Sequence, residues 1–347
     1  MVKCNFIIVA MNIDIAREKP GISETEIVGL WNAAIGETFP LDIRLFRQQT
    51  APQTDASALF VARYRNSAQH CAAPIGAVQA KISPLGTGGS GKAGAGSMTG
   101  FISFIAVPRD RRREGIGGAL LARAEAWCQK HGAASIRLGS DYRHFFPGLP
   151  IDDSPETKAT RAFFEKRGYV PGNIEHDLMA DLRDIDLGIS AEAAFASPGY
   201  RFSHCGDELR PAALAFLSKT FPGRWHREIA EAFEAGMKGD DLALALREQD
   251  GLPVGFARIC GEESAPLSPG LFWRGLLGDH PGALGPIGIA PSCRGRGLGL
   301  ALLRGSLASL KCRGSRRVVI DWTDLAGFYG KLGFAPWKTY LGMMKRF

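Results

Sequence analysis

The segment Arg294-Gly-Arg-Gly-Leu-Gly299 sets three glycines and two guanidinium groups between an apolar strand-like run, Pro286–Ala290, and a helix that begins near Leu298. The first turn of a helix leaves backbone N–H groups unpaired and carries partial positive charge, so it attracts anions. Gly295, Gly297 and Gly299 lack Cβ atoms and let the backbone approach a pyrophosphate closely. Arg294 and Arg296 add charge-assisted hydrogen bonds to the same group. Arg112-Arg-Glu-Gly-Ile-Gly117 repeats the design earlier in the chain, between Phe101–Val107 and an amphipathic run. One such loop would read equally well as a glycine-rich helix entry on a basic surface. Strand, loop and helix occur twice, with Arg at the same offset, and this favours the phosphate grip. A dinucleotide fold would need GxGxxG, a following βαβ unit and a ribose-binding acid, and neither copy has them.

The elements that must position these loops also recur. Ala162-Phe-Phe-Glu-Lys-Arg-Gly-Tyr169 matches Gly327-Phe-Tyr-Gly-Lys-Leu-Gly-Phe334, each reading as a short helix ended by glycine and followed by a strand. The first copy carries extra residues between its motifs, including Asp141-Tyr-Arg-His-Phe-Phe-Pro-Gly-Leu-Pro150. Each copy opens with a helical run (Glu24–Ala34; Glu208–Lys219). Two strand-like runs follow in each, Ala58–Tyr64 and Ile75–Ile82 in the first, Leu242–Arg247 and Val254–Ile259 in the second. Gly86–Gly100, dense in glycine and serine, reads as a hairpin loop. Asp184–Pro198 shows no strong period and reads as a linker. The expected division is residues 1–185 and 186–347, an α/β fold used twice.

Composition agrees with two soluble domains. The chain has 347 residues, 45% hydrophobic and 22% charged, with a formal net charge of +7. Lys and Arg are dispersed apart from clusters at Arg109–Arg113 and Arg294–Arg296, and no nucleic-acid-binding module is readable, so nucleic acid is not an expected partner. Seven scattered cysteines without a CxxC pair point to reduced thiols, no metal site and a cytoplasmic setting. The run Cys4–Met11 lacks a cleavage site and reads as a strand or a few extra residues before Met11. No apolar run approaches the ~20 residues needed to span a bilayer.

The glycine loop after an apolar strand, followed by a Tyr-containing helix ending in Gly-Phe, resembles the GNAT superfamily of acetyl-CoA-dependent acyltransferases, once in each half. The resemblance implies two tandem folds, each a mixed sheet flanked by helices and splayed at its middle, with the acyl thioester in the splay. Strand backbone before the loop would pair with the pantetheine arm of acetyl-CoA: Ile287, Gly288 and Ile289 in the second half, and Phe104, Ile105 and Val107 in the first. The pyrophosphate would sit on Arg294, Gly295, Arg296, Gly297, Leu298 and Gly299. The corresponding set in the first half is Arg112, Arg113, Glu114, Gly115, Ile116, Gly117 and Gly118. The resemblance assigns Tyr329 as general acid toward the departing thiolate. Its counterpart Phe164 has no proton to give, so the second half would be the catalytic one.

A general base must take the amine proton. The strand before the loop offers no carboxylate, and Asp321 and Asp324 are the nearest candidates, although Thr323 or Asp324 could instead cap the following helix. Asp279 and His280 are weaker ones. Aromatic residues recur on the presumed acceptor side, among them Trp225, Phe272, Trp273, Trp322 and Trp337; Trp273 and Trp322 are the expected substrate contacts. Phe145–Pro150 and the run from Trp273 are similar to tandem bacterial GNAT proteins associated with glucosamine N-acetylation. This implies a small-molecule amine acceptor, an amino sugar, and a monomer or homodimer. The mycothiol-synthase type and protein N-acetylation are alternatives within the enzyme class, and a non-catalytic acyl-CoA sensor is the alternative outside it.

Overall fold

The runs rich in Ala, Val, Ile and Phe fold as strands in the computed structural model of the protein, which describes residues 13–18, 24–50, 56–65, 73–83 and 98–347. The run Cys4–Met11 and most of the expected glycine-rich loop, residues 86–97, lie outside the described residues. Packing divides the chain into two compact units. One holds the described residues up to Phe146 together with Met343–Phe347, and the other holds Pro147–Gly342.

The first unit contains, in chain order, β1 (Ile13–Glu18), α1 (Glu24–Ile35), α2 (Ile43–Thr50), β2 (Ala56–Tyr64), β3 (Gly76–Ser83), β4 (Met98–Ala106), α3 (Ile116–Lys130) and β5 (Ala133–Leu138). Its strands lie in that order, antiparallel except for the β4–β5 pair. The last residues, Met344–Arg346, add an antiparallel strand to the far edge of β5.

The second unit contains β6 (Leu149–Ile151), α4 (Pro155–Glu165), β7 (Val170–Asp181), α5 (Ala191–Ala194), β8 (Tyr200–His204), α6 (Arg210–Thr220), α7 (Arg224–Glu234), β9 (Leu242–Arg247), β10 (Pro253–Cys260), β11 (Gly282–Ile289), α8 (Leu298–Cys312), β12 (Arg317–Thr323), α9 (Ala326–Tyr329) and, up to Gly342, β13 (Ala335–Arg346). Its strand order is β13-β7-β12-β11-β10-β9-β8. Strand β7 follows the first motif copy in sequence but sits between β12 and β13 of the second. Helix α8 buries Leu298, Leu302, Leu303, Leu307 and Leu310 in the core, each worth roughly 1.5–3 kcal/mol relative to exposure. The segment 184–198 has no sequence period because its one helix is four residues long. It nevertheless buries Ile185, Leu187, Ala191, Ala194 and Phe195 in that same core.

Both sheets are splayed. In the second unit the parallel β11–β12 pairing is confined to Gly282↔Val318 and Ala283↔Val319, while β11 continues along β10 to Ile289. In the first, the β4–β5 pairing ends at Ile102↔Leu138 and β4 runs on along β3 to Ala106. The longer strand carries an extra residue in each case: the register slips at Ser103 in β4 and around Gly285 in β11. No helix among the described residues is long and apolar enough to cross a membrane. No group of three or more His, Cys, Asp or Glu residues suited to a metal occurs among them, and the five described cysteines are free.

Candidate active site

The loop before α8 takes its shape from glycine. Gly295 and Gly297 have φ of 76° and 77°, a left-handed backbone that side-chain-bearing residues adopt at a cost. A Cβ at either would meet no atom within 4 Å, so the surface above the loop is open. Turns of this kind direct successive N–H groups to one side and make a concave anion seat at the head of α8, a 15-residue helix. Arg294 Nε donates to the Ile289 carbonyl at 3.0 Å, tying the loop to the end of β11. The first copy has the same backbone: Arg113 at φ 67°, Gly115 at φ 84°, and Arg112 Nε donating to the Val107 carbonyl at 3.3 Å.

Beyond Val319, β12 leaves β11, and Asp321 stands at the opening. A Cβ at Gly285 would lie 3.3 Å from Asp321 Oδ1, so the carboxylate faces the irregular part of β11. Gly285, at φ 146°, leaves room for it. Asp321 keeps a partly accessible surface yet lies deep enough that burial, with the negative charges of Asp177 and Glu228, pushes its pKa up to about 7 against the pull of Arg224. Tyr329 is buried on the far side, its ring against Phe328 and Phe334. Burial and the charges of Asp321 and Asp324 raise its pKa, so it holds its proton. The head of α8 lies against the ring next to the tyrosine, because a Cβ on Gly299 would lie 3.7 Å from Ile289 Cγ1 and 3.8 Å from Phe328 Cζ, and Phe328 packs on Tyr329.

Of the residues expected along β11, Ile287 and Gly288 are half-buried and Ile289 is buried; Ile105 and Val107 in the first unit are half-buried. Asp324 is exposed, and it is Thr323 Oγ1, not Asp324, that accepts the Leu325 N–H at 3.0 Å. Asp279 and His280 are exposed, the latter 3.7 Å from Glu262. Trp322 lies at the rim, half-buried, with the Arg224 guanidinium 4.3 Å from its ring centre. Trp273 is different: it is 2% exposed and its indole hydrogen-bonds to Tyr340.

Sequence reasoning missed Asp177, Tyr340, Arg224 and Glu228. Asp177 is 5% exposed and is pushed up to about 6 by burial, against its hydrogen bonds and the charge of Lys338. An acid directly before the apolar run Leu178-Met-Ala180 was the available signal. Its partners were invisible because β7 is separated from them by more than a hundred residues of chain.

The profile of the Acetyltransferase (GNAT) family matches residues 30–146 and, a second time, residues 210–334. The chain belongs to this family. Among curated relatives, the mycothiol acetyltransferase of Arthrobacter sp. (strain FB24) is 29% identical to this GNAT protein over 209 residues, 52% of the chain and 60% of the relative. Among solved structures, a fungal multi-domain beta-N-acetylglucosaminidase with a GCN5-related glucosamine N-acetyltransferase region superposes with a TM-score of 0.82 at 24% identity, over 97% of this chain and 38% of that one. A tandem GNAT protein from the clavulanic acid biosynthesis pathway superposes at 0.67 with 18% identity, over 96% and 98%. At such identities these likenesses establish the fold. The two family matches and the two splayed sheets make it a tandem GNAT fold, as the repeat implied.

Proposed function

We propose that this GNAT protein is an acetyl-CoA-dependent N-acetyltransferase whose second unit acylates the primary amine of a small molecule, an amino sugar. The observation that carries the reading is Asp321, placed in the β11–β12 splay beside Gly285 and near Tyr329. The residues fit acetyl-CoA: an open left-handed seat for a pyrophosphate at Gly295–Gly297, Arg296 exposed beside it, and β11 left without a parallel partner past Ala283. When bound, that group supplies the acyl carbon as a thioester.

Asp321 is the base in this reading. A carboxylate of ordinary affinity is a poor proton acceptor at neutral pH, and one raised to about 7 has its basicity near the working pH. Tyr329 is the acid, and its raised pKa keeps the proton on Oη until it is given to the leaving sulfur. Trp322, braced by Arg224, with Glu228 near Asp321, offers an aromatic face beside carboxylates, which suits an amino sugar. Trp273 supports the site from beneath through Tyr340. The glucosamine N-acetyltransferase region of the fungal neighbour supports the sugar acceptor. The Arthrobacter relative favours, as a second reading, a mycothiol-type acceptor.

Steady-state CoA release with glucosamine, for wild type and Tyr329→Phe, tests this. Turnover by the wild type and a loss of about 10²-fold in kcat in the variant are expected. Tight acetyl-CoA binding without turnover on glucosamine or any other amine would sink the enzyme in favour of a sensor.

A further inference from the structure

The mechanism above uses Asp321 and Tyr329 and leaves a buried carboxylate beside them without a role. Strand β12 pairs with β7 as Ile320↔Leu178 and then Thr323↔His176, so Asp321 and Trp322 together stand opposite the single residue Asp177. This is a β-bulge, which bends a strand and re-aims its side chains. Trp322 adopts φ 45° in it, a conformation that costs a tryptophan on the order of 1–2 kcal/mol and persists only where the surroundings hold it. Asp177 supplies the hold: its Oδ1 accepts the Trp322 N–H at 3.0 Å, the donor that the slipped ladder would otherwise leave unpaired. Its Oδ2 accepts the Tyr340 hydroxyl at 2.6 Å, and Tyr340 in turn is hydrogen-bonded by the Trp273 indole. A relay of buried groups therefore ends on the peptide that follows Asp321.

We propose that Asp177 is a positioning residue for acyl transfer: by anchoring the Trp322 peptide it holds the β12 bulge that aims Asp321 into the splay. The proposal rests on the reading of Asp321 as base. A buried acid that merely satisfied a stray N–H could be replaced by any neutral acceptor without consequence. Asp177 adds charge as well as geometry. The charged and titratable groups around Asp321 are Asp177 on β7, Arg224 and Glu228 on α7, and Tyr329 on α9; around Asp177 they are Lys338 and Tyr340 on β13. Glu175 and Asp324 face each other nearby. Asp177 is the larger of the two negative influences on Asp321, so neutralising it lowers the pH at which Asp321 becomes a base.

The test compares Asp177→Asn, Asp177→Ala and Asp321→Asn in the full chain, with kcat and KM measured across the neutral pH range at saturating glucosamine. Asp177→Ala removes the anchor and is expected to lose about 10²-fold in kcat, with KM for acetyl-CoA unchanged. Asp177→Asn keeps an oxygen for the Trp322 N–H and is expected to retain most of kcat, with the acid limb of the profile moved down by about one pH unit. The same shift is read without any acceptor by carbon-13 titration of the Asp321 carboxyl, assigned through its loss in Asp321→Asn. A wild-type kcat in Asp177→Ala, or an unmoved Asp321 titration in Asp177→Asn, overturns the proposal. If Asp177→Ala does not fold, the Asp177→Asn titration decides alone. Full activity in Asp321→Asn is a separate failure, that of the base assignment.

Discussion

Each unit builds a parallel strand pair, parts it just before a slip on the longer strand, and aims that strand at a left-handed loop; the gap is then given to different residues. In the first unit the chain after β5 folds back, with Gly139 N–H bonding to the Ile102 carbonyl and Ser140 N–H to the Phe146 carbonyl, each at 2.8 Å. Phe145 is thereby set against Phe104, the residue just past the slip in β4, and Trp31 packs on Phe104, Phe145 and Phe146. Lys81 is locked beneath: its Nζ bonds to Asp141 Oδ2 at 2.6 Å and to the carbonyls of Gln49, Tyr142 and Arg143. In the second unit the same place holds Asp321 beside Gly285. One splay is filled by rings above a buried ion pair; the other holds the partly accessible carboxyl of Asp321. Duplication preserved the scaffold in both, and the chemistry differs by what the chain does in the few residues after the short strand.

The largest effect that sharpens this contrast is on stability. Lys81→Met leaves the buried Asp141 carboxyl without its cationic partner, and a loss of about 3–5 kcal/mol is expected on chemical denaturation. The double change Lys81→Met with Asp141→Leu should recover much of it, and kcat per folded molecule should be unchanged in both. A large fall in kcat among folded molecules would mean that the plugged splay takes part in turnover.

A smaller effect separates the two loops. Glu114 stands where the second copy has Arg296, and it accepts a hydrogen bond from the Tyr64 hydroxyl at 2.8 Å. A carboxylate there repels a pyrophosphate, whereas Arg296 attracts one. Arg296→Glu is expected to raise KM for acetyl-CoA about tenfold, a difference of one charged hydrogen bond, while Glu114→Arg leaves KM unchanged. An equal response from both loops would show that both seats serve the reaction.

Local signals made much of this legible. The two loops, Tyr329 against Phe164, and strands such as Leu242–Arg247 follow from spacing within a dozen residues, and those residues fold where the pattern put them. The expected strand Pro286–Ala290 begins earlier, at Gly282, because the slip at Gly285 divides its apolar run. The helix expected from Glu208 starts at Arg210. What could not be read depends on pairing across distance. The Asp141–Pro150 segment was visible as extra length, but nothing local says that its phenylalanines fill a splay. Asp177 reaches Asp321 only because β7 inserts between β12 and β13, an exchange between motif copies that no periodicity records.

The smallest effect concerns what the second unit gives up to keep its carboxylates. Folding raises Asp321 to about 7 and Asp177 to about 6, well above the usual carboxylate range. Between pH 4 and 7 these two groups therefore bind more protons in the folded protein than in the unfolded chain, and their contribution to stability falls as pH rises through that window. At pH 5 both groups are largely neutral when folded, and replacing Asp321 with Asn removes little penalty. At pH 8 the wild type carries a buried charge that the variant lacks, so Asp321→Asn should melt a few degrees higher, roughly 2–4 °C, and be less active. Lys81→Met, which breaks a compensated pair in the first unit, should lower the melting temperature at both pH values. Thermal melts of the two variants at pH 5 and 8 check this. A stabilisation of Asp321→Asn that is equal at both would mean that its carboxylate is not strained by burial, and the contrast between a locked pair and the proposed base would lose its energetic footing.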